Sequence, residues 1–236
     1  MFLDEFYTEA DGWLRIDAQQ ASRFAKRMAG DHNPIHDPDA RRFCVPGDLL
    51  FALALVKHGL AQRMTFHFRG MVGDNVPLRF AVDDEGGLSV VDDAGKQYLY
   101  VERSGETTHD PAVIERFTRR YIAFSGRNFP HYLKPLMEDN GVMFNPQRPL
   151  VIYDSMGFQL DALPGDGLEV AFDGARFDIQ GKRGEARLAF RMRAGGQPLG
   201  TGAKKLVVSG LQPYDAEVME SFVEIFSRRK AEYEAG

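Results

Sequence analysis

Ala25-Lys-Arg-Met-Ala-Gly-Asp-His-Asn-Pro-Ile-His-Asp-Pro38 places an acid, Asp31, five residues before a histidine, His36. Pro34 and Pro38 disfavour helical conformation at the residues that precede them, so we expect an irregular loop between the acid and the histidine. Upstream, apolar side chains at helical spacing predict a short helix over residues 18–28. Gly30 is a natural end for that helix because glycine readily takes the left-handed conformation. A loop of this kind can aim an acid and a histidine at one point.

The next feature is an almost wholly apolar run, Asp48-Leu-Leu-Phe-Ala-Leu-Ala-Leu-Val56, which directly follows Pro46-Gly47. A run that is apolar on all sides is typical of a buried helix. It is shorter than the roughly 20 residues needed to cross a bilayer. The first N–H groups of a helix have no partner within the helix, and its dipole favours negative charge at that end. If the helix begins at Gly47, the N–H of that residue can approach a ligand oxygen.

The motif Gly30-Asp-His-Asn-Pro-Ile-His36 resembles the Gly-Asp-x-Asn-Pro-x-His signature of MaoC-like (R)-specific enoyl-CoA hydratases. The Ala-x-x-Phe-Ala-x-x-Met-Ala pattern before it also fits that family. Its members are hot-dog proteins, in which an antiparallel sheet wraps round a long central helix. The resemblance implies that Asp31 and His36 hold and activate water. It also implies that the backbone amide of Gly47 receives the thioester oxygen.

Three neighbouring positions, Asn33, Asp48 and Leu49, are candidate substrate contacts. Of these, Asn33 is better suited to organising the loop than to contacting substrate. Asp48 stands where the MaoC-like family commonly has a large apolar residue, and the segment between His36 and Gly47 is several residues shorter than in that family. An acid this close to a carbonyl pocket repels a developing oxyanion unless it caps the helix.

After the apolar helix, the hydrophobic period changes to two, which is typical of half-buried strands. The pattern predicts strands over 64–72, 76–82, 88–92 and 97–102, and then a helix that starts at Pro111. A second apolar run, Leu150–Leu160, is opened by Pro149 and is expected to be a second central helix. Further strands are predicted over 168–178, 185–193 and 198–208, with a closing helix over 215–235.

This order of elements indicates an internal duplication. Gly126-Arg-Asn-Phe-Pro-His131 parallels the segment that begins at Gly30, although Arg127 replaces the acid. Together with the resemblance to the MaoC-like family, this duplication predicts an α+β double hot-dog, with antiparallel sheets each wrapped round an apolar central helix. The opening residues also resemble an uncharacterised bacterial family. Residues 1–108 would form the half that carries the motif, and residues 109–236 a degenerate half. One half would supply the chemistry while the other shapes the substrate tunnel.

The composition limits the class of function. The 236 residues carry a net charge of −5, which argues against a general nucleic-acid binder. A single cysteine, Cys44, excludes an internal disulfide and favours a reducing compartment. The N-terminus has no basic region followed by a long apolar run, so we expect no signal peptide and a cytoplasmic protein that does not bind membranes. We expect no cofactor, and either a monomeric double hot-dog or its homodimer.

These observations lead to three hypotheses for function. The first is a hydratase or dehydratase that acts on enoyl or 3-hydroxyacyl thioesters of CoA or acyl carrier protein. The second is a hot-dog protein that binds acyl thioesters without turnover, and the third is a thioesterase in which Asp48 attacks or activates water. Pro34 disrupts the helical geometry that His32 and His36 need to share a metal, so no metal site is expected, and His32 is expected to be exposed. Cys44 has no activating neighbour in sequence and is expected to be structural.

Overall fold

The computed structural model describes residues 1–147 and 150–235. The elements of the first half are β1 (Thr8–Ala10), β2 (Trp13–Arg15), α1 (Ala18–Phe24), α2 (Gly47–His58), β3 (Leu60–Phe68), β4 (Leu78–Val82), β5 (Leu88–Asp92) and β6 (Gln97–Thr108). Those of the second half are α3 (Pro111–Ser125), α4 (Leu133–Asp139), β7 (Val142–Met143), β8 (Leu150–Leu160), β9 (Leu168–Gln180), β10 (Arg183–Ala194), β11 (Gln197–Ser209), β12 (Gln212–Pro213) and α5 (Ala216–Ala235).

A continuous antiparallel sheet of ten strands, in the order β1-β2-β4-β5-β6-β3-β8-β11-β10-β9, organises the molecule. The two halves meet where β3 pairs with β8, with Met64 opposite Phe158 and Phe66 opposite Met156. Each half therefore contributes its own antiparallel half-sheet, with helices packed against it. This is the double hot-dog arrangement.

The apolar helix α2 lies at the centre of the first half. Its residues from Asp48 to Leu55 are all buried, so it has no solvent-facing side along that span. Phe51 packs against Phe66 of β3 at 5.0 Å between ring centroids and against Tyr121 of α3 at 4.6 Å. Because α2, β3 and α3 share these contacts, the core is continuous across the two halves.

The second half differs from the prediction in one element. Leu150–Leu160, expected to be a second central helix, is the strand β8 at the middle of the sheet. A short, mostly apolar run can form either a buried helix or a strand in the middle of a sheet. Its hydrophobic periodicity could not distinguish these two structures. The second half-sheet is covered instead by α3 and α4. Pro149, the expected start of that helix, lies outside the described residues.

The other boundaries differ less. Asp17 caps α1 through a capping box with Gln20, and the predicted helix over 18–28 continues past Phe24 as a wider π-helical turn, Ala25–Ala29. The strand predicted over 97–102 is longer in the structure, where β6 continues through the polar segment from Ser104 as far as Thr108. The predicted boundary between residues 108 and 109 falls in the connection between β6 and α3. No helix in the described ranges combines the length and apolarity needed to cross a membrane.

Candidate active site

The loop over residues 30–38, which we call the motif loop, is fixed in its conformation by its own side chains. Gly30 ends the π-helical turn with a φ of 61°, the left-handed conformation expected for it. The Asn33 N–H donates to Asp31 Oδ1 at 2.9 Å, and the Ile35 N–H donates to Asn33 Oδ1 at 3.2 Å. These local bonds occupy one carboxylate oxygen of Asp31 and leave Oδ2 for other partners. Asn33 therefore organises the loop and also lines the adjoining cavity.

His36 is held in one orientation by the backbone. Its Nδ1 lies 2.7 Å from the carbonyl oxygen of Cys44, which can only accept, so Nδ1 carries the hydrogen. In the neutral imidazole, Nε2 then has a free lone pair. Nε2 lies 3.7 Å from Asp31 Oδ2, too far for a good direct hydrogen bond and close enough for both atoms to contact one water molecule.

The N-terminus of α2 is built closely around Gly47. A Cβ at this position would lie 2.7 Å from Cδ2 of Tyr153 and 3.0 Å from Cε1 of Phe68, so any larger residue would displace an aromatic ring. Gly47 lines the same cavity as Asp31 and His36. Because it is the first residue of α2, its N–H has no partner within the helix.

A cavity of about 230 Å³ brings these groups together between the two halves. The motif loop and the start of α2 form one part of its wall. Its polar side chains come from Ser125 at the end of α3, Asn128 in the segment after α3, and Tyr153 near the start of β8. Its apolar lining comes from both halves. The first half contributes residues such as Leu50 and Phe68, and the second contributes Phe129, Leu133, Phe144, Phe222 and Phe226.

The structure places the remaining candidate contacts behind the cavity wall. Leu49 is fully buried in the core, and its neighbour Leu50 is the α2 leucine that lines the cavity. Successive residues of a helix point in directions about 100° apart, so Leu49 and Leu50 cannot share a face. Asp48 is also buried, and it contacts the hydroxyls of Ser125 and Tyr153, two residues that line the cavity.

These residues belong to a buried polar group that we call the Asp48 cluster, made of Asp48, Ser125, Asn128, Tyr153 and Lys204. Asp48 Oδ2 accepts hydrogen bonds from the Ser125 and Tyr153 hydroxyls. Lys204 is 1 % exposed, and its Nζ lies over the rings of Tyr121 and Tyr153 at 4.8 and 5.2 Å. Within the described residues, Asp48 Oδ1, Asn128 Oδ1 and Lys204 Nζ are buried without a hydrogen-bond partner.

The sequence analysis missed most of this cluster, although one signal for it existed. Lys204 has the same strand parity as Leu206 and Val208 of β11, both of which are buried, and this parity is the signal for an inward-facing lysine. The signal is incomplete because Val207, of the opposite parity, is buried as well. Ser125 and Tyr153 gave no comparable signal because a hydroxyl in an apolar pattern is usually just a packed residue. Their convergence depends on the packing of α3 and β8 against α2.

We predict that Asp48→Asn stabilises the protein at neutral and alkaline pH. Burial raises the pKa of Asp48 above its ordinary value of 3.8, against the opposing effects of Lys204 and of the hydrogen bond from Ser125. A carboxyl whose pKa is raised by folding contributes stability below the unfolded pKa and loses it as pH rises through the folded pKa. Thermal unfolding across pH should show a higher Tm for the variant at pH 8, with the gap closing near pH 4. A lower Tm for the variant at pH 8 would contradict this.

Cys44 lies at the cavity wall, and we expect its thiol to be unreactive. Burial raises the pKa of its thiol to about 12. Because the thiolate is the reactive form, we predict that an aromatic disulfide reagent at pH 8 modifies the folded protein at least about 100-fold more slowly than the chain unfolded in guanidinium. Equal rates in the two states would show that the thiol is exposed and ionised, and would reopen a nucleophilic role.

Two other residues of the motif loop are structural. His32, expected to be exposed, is 3 % exposed and packs edge-on against Phe226 and Tyr233 of α5, and burial lowers its pKa. The sequence could not show that a distant helix returns to cover it. Asp37 is paired with Lys26 at 3.0 Å and with Arg229 of α5. Among the described residues, no three His, Cys, Asp or Glu side chains form a group able to hold a metal.

Comparison with known families assigns the chain. DUF3581, described as a protein of unknown function, matches residues 1–217. The chain belongs to this family. The match ends close to the start of α5, the helix that carries Phe222, Phe226 and Arg229. No curated protein matches the sequence.

Solved structures similar to this DUF3581 protein are distant in sequence. A conserved protein of unknown function with a hot dog fold from Alicyclobacillus acidocaldarius is 9% identical, with a TM-score of 0.46 over 91% of this chain and 99% of the other. A MaoC-like dehydratase is 11% identical, with a TM-score of 0.45 over 87% and 98%. An acyl-CoA thioesterase II from Mycobacterium marinum is 8% identical, with a TM-score of 0.41 over 91% and 100%. Similarity at this level assigns no activity to the chain.

Proposed function

We propose that this protein catalyses the reversible addition of water to the double bond of a trans-2-enoyl thioester of CoA or acyl carrier protein. One observation carries the proposal. Asp31 Oδ2 and His36 Nε2 lie 3.7 Å apart, and both residues line a cavity. Gly47, the first residue of a buried helix, lines the same cavity. The sequence resemblance to MaoC-like hydratases points to the same three residues.

In the proposed reaction, Asp31 and His36 activate the water. The water donates one hydrogen to Asp31 Oδ2 and the other to His36 Nε2, whose lone pair is free because Nδ1–H donates to the carbonyl of Cys44. As the water oxygen bonds to C3, its proton moves to Nε2. The Asp31 carboxylate then stabilises the imidazolium ion that forms.

The start of α2 would act on the carbonyl end of the substrate. As the new C–O bond forms at C3, the electrons of the conjugated double bond move onto the thioester oxygen. The Gly47 N–H donates a hydrogen bond to this oxygen, and one donor of this type is worth about 10²–10³ in rate. The proton held by the His36 imidazolium then passes to C2, which restores the neutral imidazole and completes the addition of one water molecule. The reverse sequence dehydrates a 3-hydroxyacyl thioester.

The size of the cavity favours a short acyl chain. Its volume of about 230 Å³ lies below the roughly 300–1,000 Å³ of pockets that enclose drug-sized ligands. Phe222 and Phe226 of α5 form part of its apolar wall together with Phe129. We therefore expect turnover to fall as the acyl chain lengthens.

A thioesterase that uses Asp48 as its nucleophile fits the site less well. The Asp48 carboxylate lies behind the hydroxyls of Ser125 and Tyr153, which occupy its Oδ2. Oδ1 has no hydrogen-bond partner among the described residues but is buried, so attack at C1 would require the residues that cover the carboxylate to move away. Binding without turnover is the other alternative, and the same experiment separates it from hydration.

The test is to incubate the purified protein with enoyl-CoA thioesters of increasing chain length and follow the loss of absorbance from the conjugated double bond. Hydration that is fastest with short chains supports the proposal. Release of free thiol without loss of the double bond would identify a thioesterase. A ligand-induced rise in Tm without any turnover, at every chain length, would identify a binding protein.

A further inference from the structure

The Asp48 cluster lies beside the expected position of the thioester oxygen and has no part in the mechanism above. Three of its oxygens converge: the Ser125 hydroxyl bonds Asp48 Oδ2, it lies 2.5 Å from the Tyr153 hydroxyl, and Tyr153 lies 3.3 Å from the same Oδ2. Asn128 Nδ2 donates to the Tyr153 hydroxyl oxygen at 3.3 Å. Ser125 and Tyr153 both line the cavity, so the cluster connects a buried acid to the substrate space.

The number of protons shared by these three oxygens decides whether a hydroxyl hydrogen can point into the cavity. With Asp48 ionised, the Ser125 and Tyr153 hydroxyls are the two donors, and both hydrogens are used within the triangle. With Asp48 protonated, the carboxyl can donate to Ser125 and Ser125 to Tyr153. The hydrogen of Tyr153 is then free to point into the cavity.

We propose that Tyr153 donates a second hydrogen bond to the thioester oxygen, beside the one from the Gly47 N–H, and this inference rests on the proposed function. Protonated Asp48 orients the Tyr153 hydroxyl through Ser125. The location fits because the ring of Tyr153 packs directly on Gly47, with 2.7 Å between its Cδ2 and the place of a Cβ. Tyr153 is then a catalytic residue of the second half. Asp48 and Ser125 are positioning residues.

The surroundings of Asp48 favour its neutral form. Burial raises its pKa, the negative charge of Asp31 acts in the same direction, and Oδ1 has no partner among the described residues. Lys204 opposes this, but its amine makes no hydrogen bond with Asp48 and lies over aromatic rings. The other titratable groups facing Asp48 are the Tyr121 and Tyr153 hydroxyls, whose pKa values are raised by burial and by Asp48. A neutral acid also avoids repelling the developing oxyanion.

The test uses a readout that does not need turnover. Butyryl-CoA carrying a ¹³C-labelled carbonyl is bound to the protein, and the carbonyl stretch is measured by infrared difference spectroscopy. Two donors lower the frequency of this band, so we expect Tyr153→Phe to move it to higher wavenumber. With crotonyl-CoA as substrate, kcat should fall about 10²-fold in this variant with little change in KM. Tyr132→Phe is the matched control, since it retains the ring that stacks on Phe172 at 4.3 Å.

Asp48→Asn tests the protonation state. The amide can donate to Ser125 as the protonated carboxyl does, so this conservative variant should preserve the orientation of Tyr153, whereas Asp48→Ala should lower kcat about 10²-fold. The wild type should lose rate at high pH as Asp48 ionises, and Asp48→Asn should not. A large loss of kcat in Asp48→Asn near neutral pH would show that the ionised form is needed, and would overturn the role given to Asp48.

The remaining outcomes separate this inference from the proposed function. If the wild type hydrates crotonyl-CoA and Tyr153→Phe changes neither the carbonyl band nor kcat, the inference falls and the proposed function stands. If the bound carbonyl band responds to Tyr153→Phe but no thioester is hydrated, the second donor stands and hydration falls. If saturating butyryl-CoA does not bind, both are overturned.

Discussion

Asp31→Asn is expected to lower kcat for enoyl-thioester hydration by about 10²–10⁴-fold, the usual contribution of a positioned acid–base group. The amide keeps an oxygen that can accept the Asn33 N–H, so the motif loop should keep its conformation. What is lost is the negative charge of Oδ2, which orients the water and stabilises the His36 imidazolium. The measurement is steady-state hydration of crotonyl-CoA at several pH values, with Tm recorded for each protein.

Asp39→Asn is the matched control for this variant. Asp39 lies in the same segment but is exposed, and it does not line the cavity. The control should keep both its kcat and its Tm. If Asp31→Asn hydrates the thioester at the wild-type rate, the Asp31–His36 pair is not the site of water activation, whatever the cause of the observed turnover.

Gly126→Ala is expected to give the largest loss of stability. Gly126 follows α3 and lies directly against the last residue of the π-helical turn, so that a Cβ would overlap the backbone carbonyl of Ala29. A backbone group cannot swing aside as a flexible side chain can, so α3 and the start of the motif loop must separate. Overpacking typically costs about 1–3 kcal/mol, and here we expect at least the upper end. The corresponding fall in Tm is about 6–12 °C for a chain of this length.

Gly165→Ala separates this contact from a general intolerance of alanine. Neither glycine has a positive φ, so alanine fits the backbone conformation at both positions. A Cβ on Gly165 meets no atom within 4 Å, so this variant should unfold at the wild-type temperature. If both variants unfold at the same temperature as the wild type, the close approach of α3 to the motif loop does not exist in solution.

Local signals predicted the elements around the motif well. Gly30 ends the helical segment before the loop, Asp17 caps α1, and the apolar run after Pro46 forms α2. In each case the residues that specify the structure are adjacent in sequence. The double hot-dog could be predicted because the motif resembles that of a hot-dog family and because alternating strands follow a helical segment in both halves.

Features that depend on distant packing could not be read from the sequence. Leu150–Leu160 is a strand because β3 and β11 pair with it on both sides, and both partners are far away in sequence. Leu49 was expected to contact substrate, yet the rotation of α2 directs Leu50 towards the cavity. The contacts of Asp48 come from α3 and β8, so an acid that was unexpected in an apolar helix gained its partners only in the folded protein.

The most direct test of the proposed chemistry follows the oxygen of water. The protein is incubated with crotonyl-CoA in H₂¹⁸O, and the products are analysed by mass spectrometry. The account predicts one ¹⁸O atom in the C3 hydroxyl group of an intact 3-hydroxybutyryl thioester, and almost none when Asp31→Asn is used. Label in the carboxyl group of a free acid, or no label in any product, would contradict it.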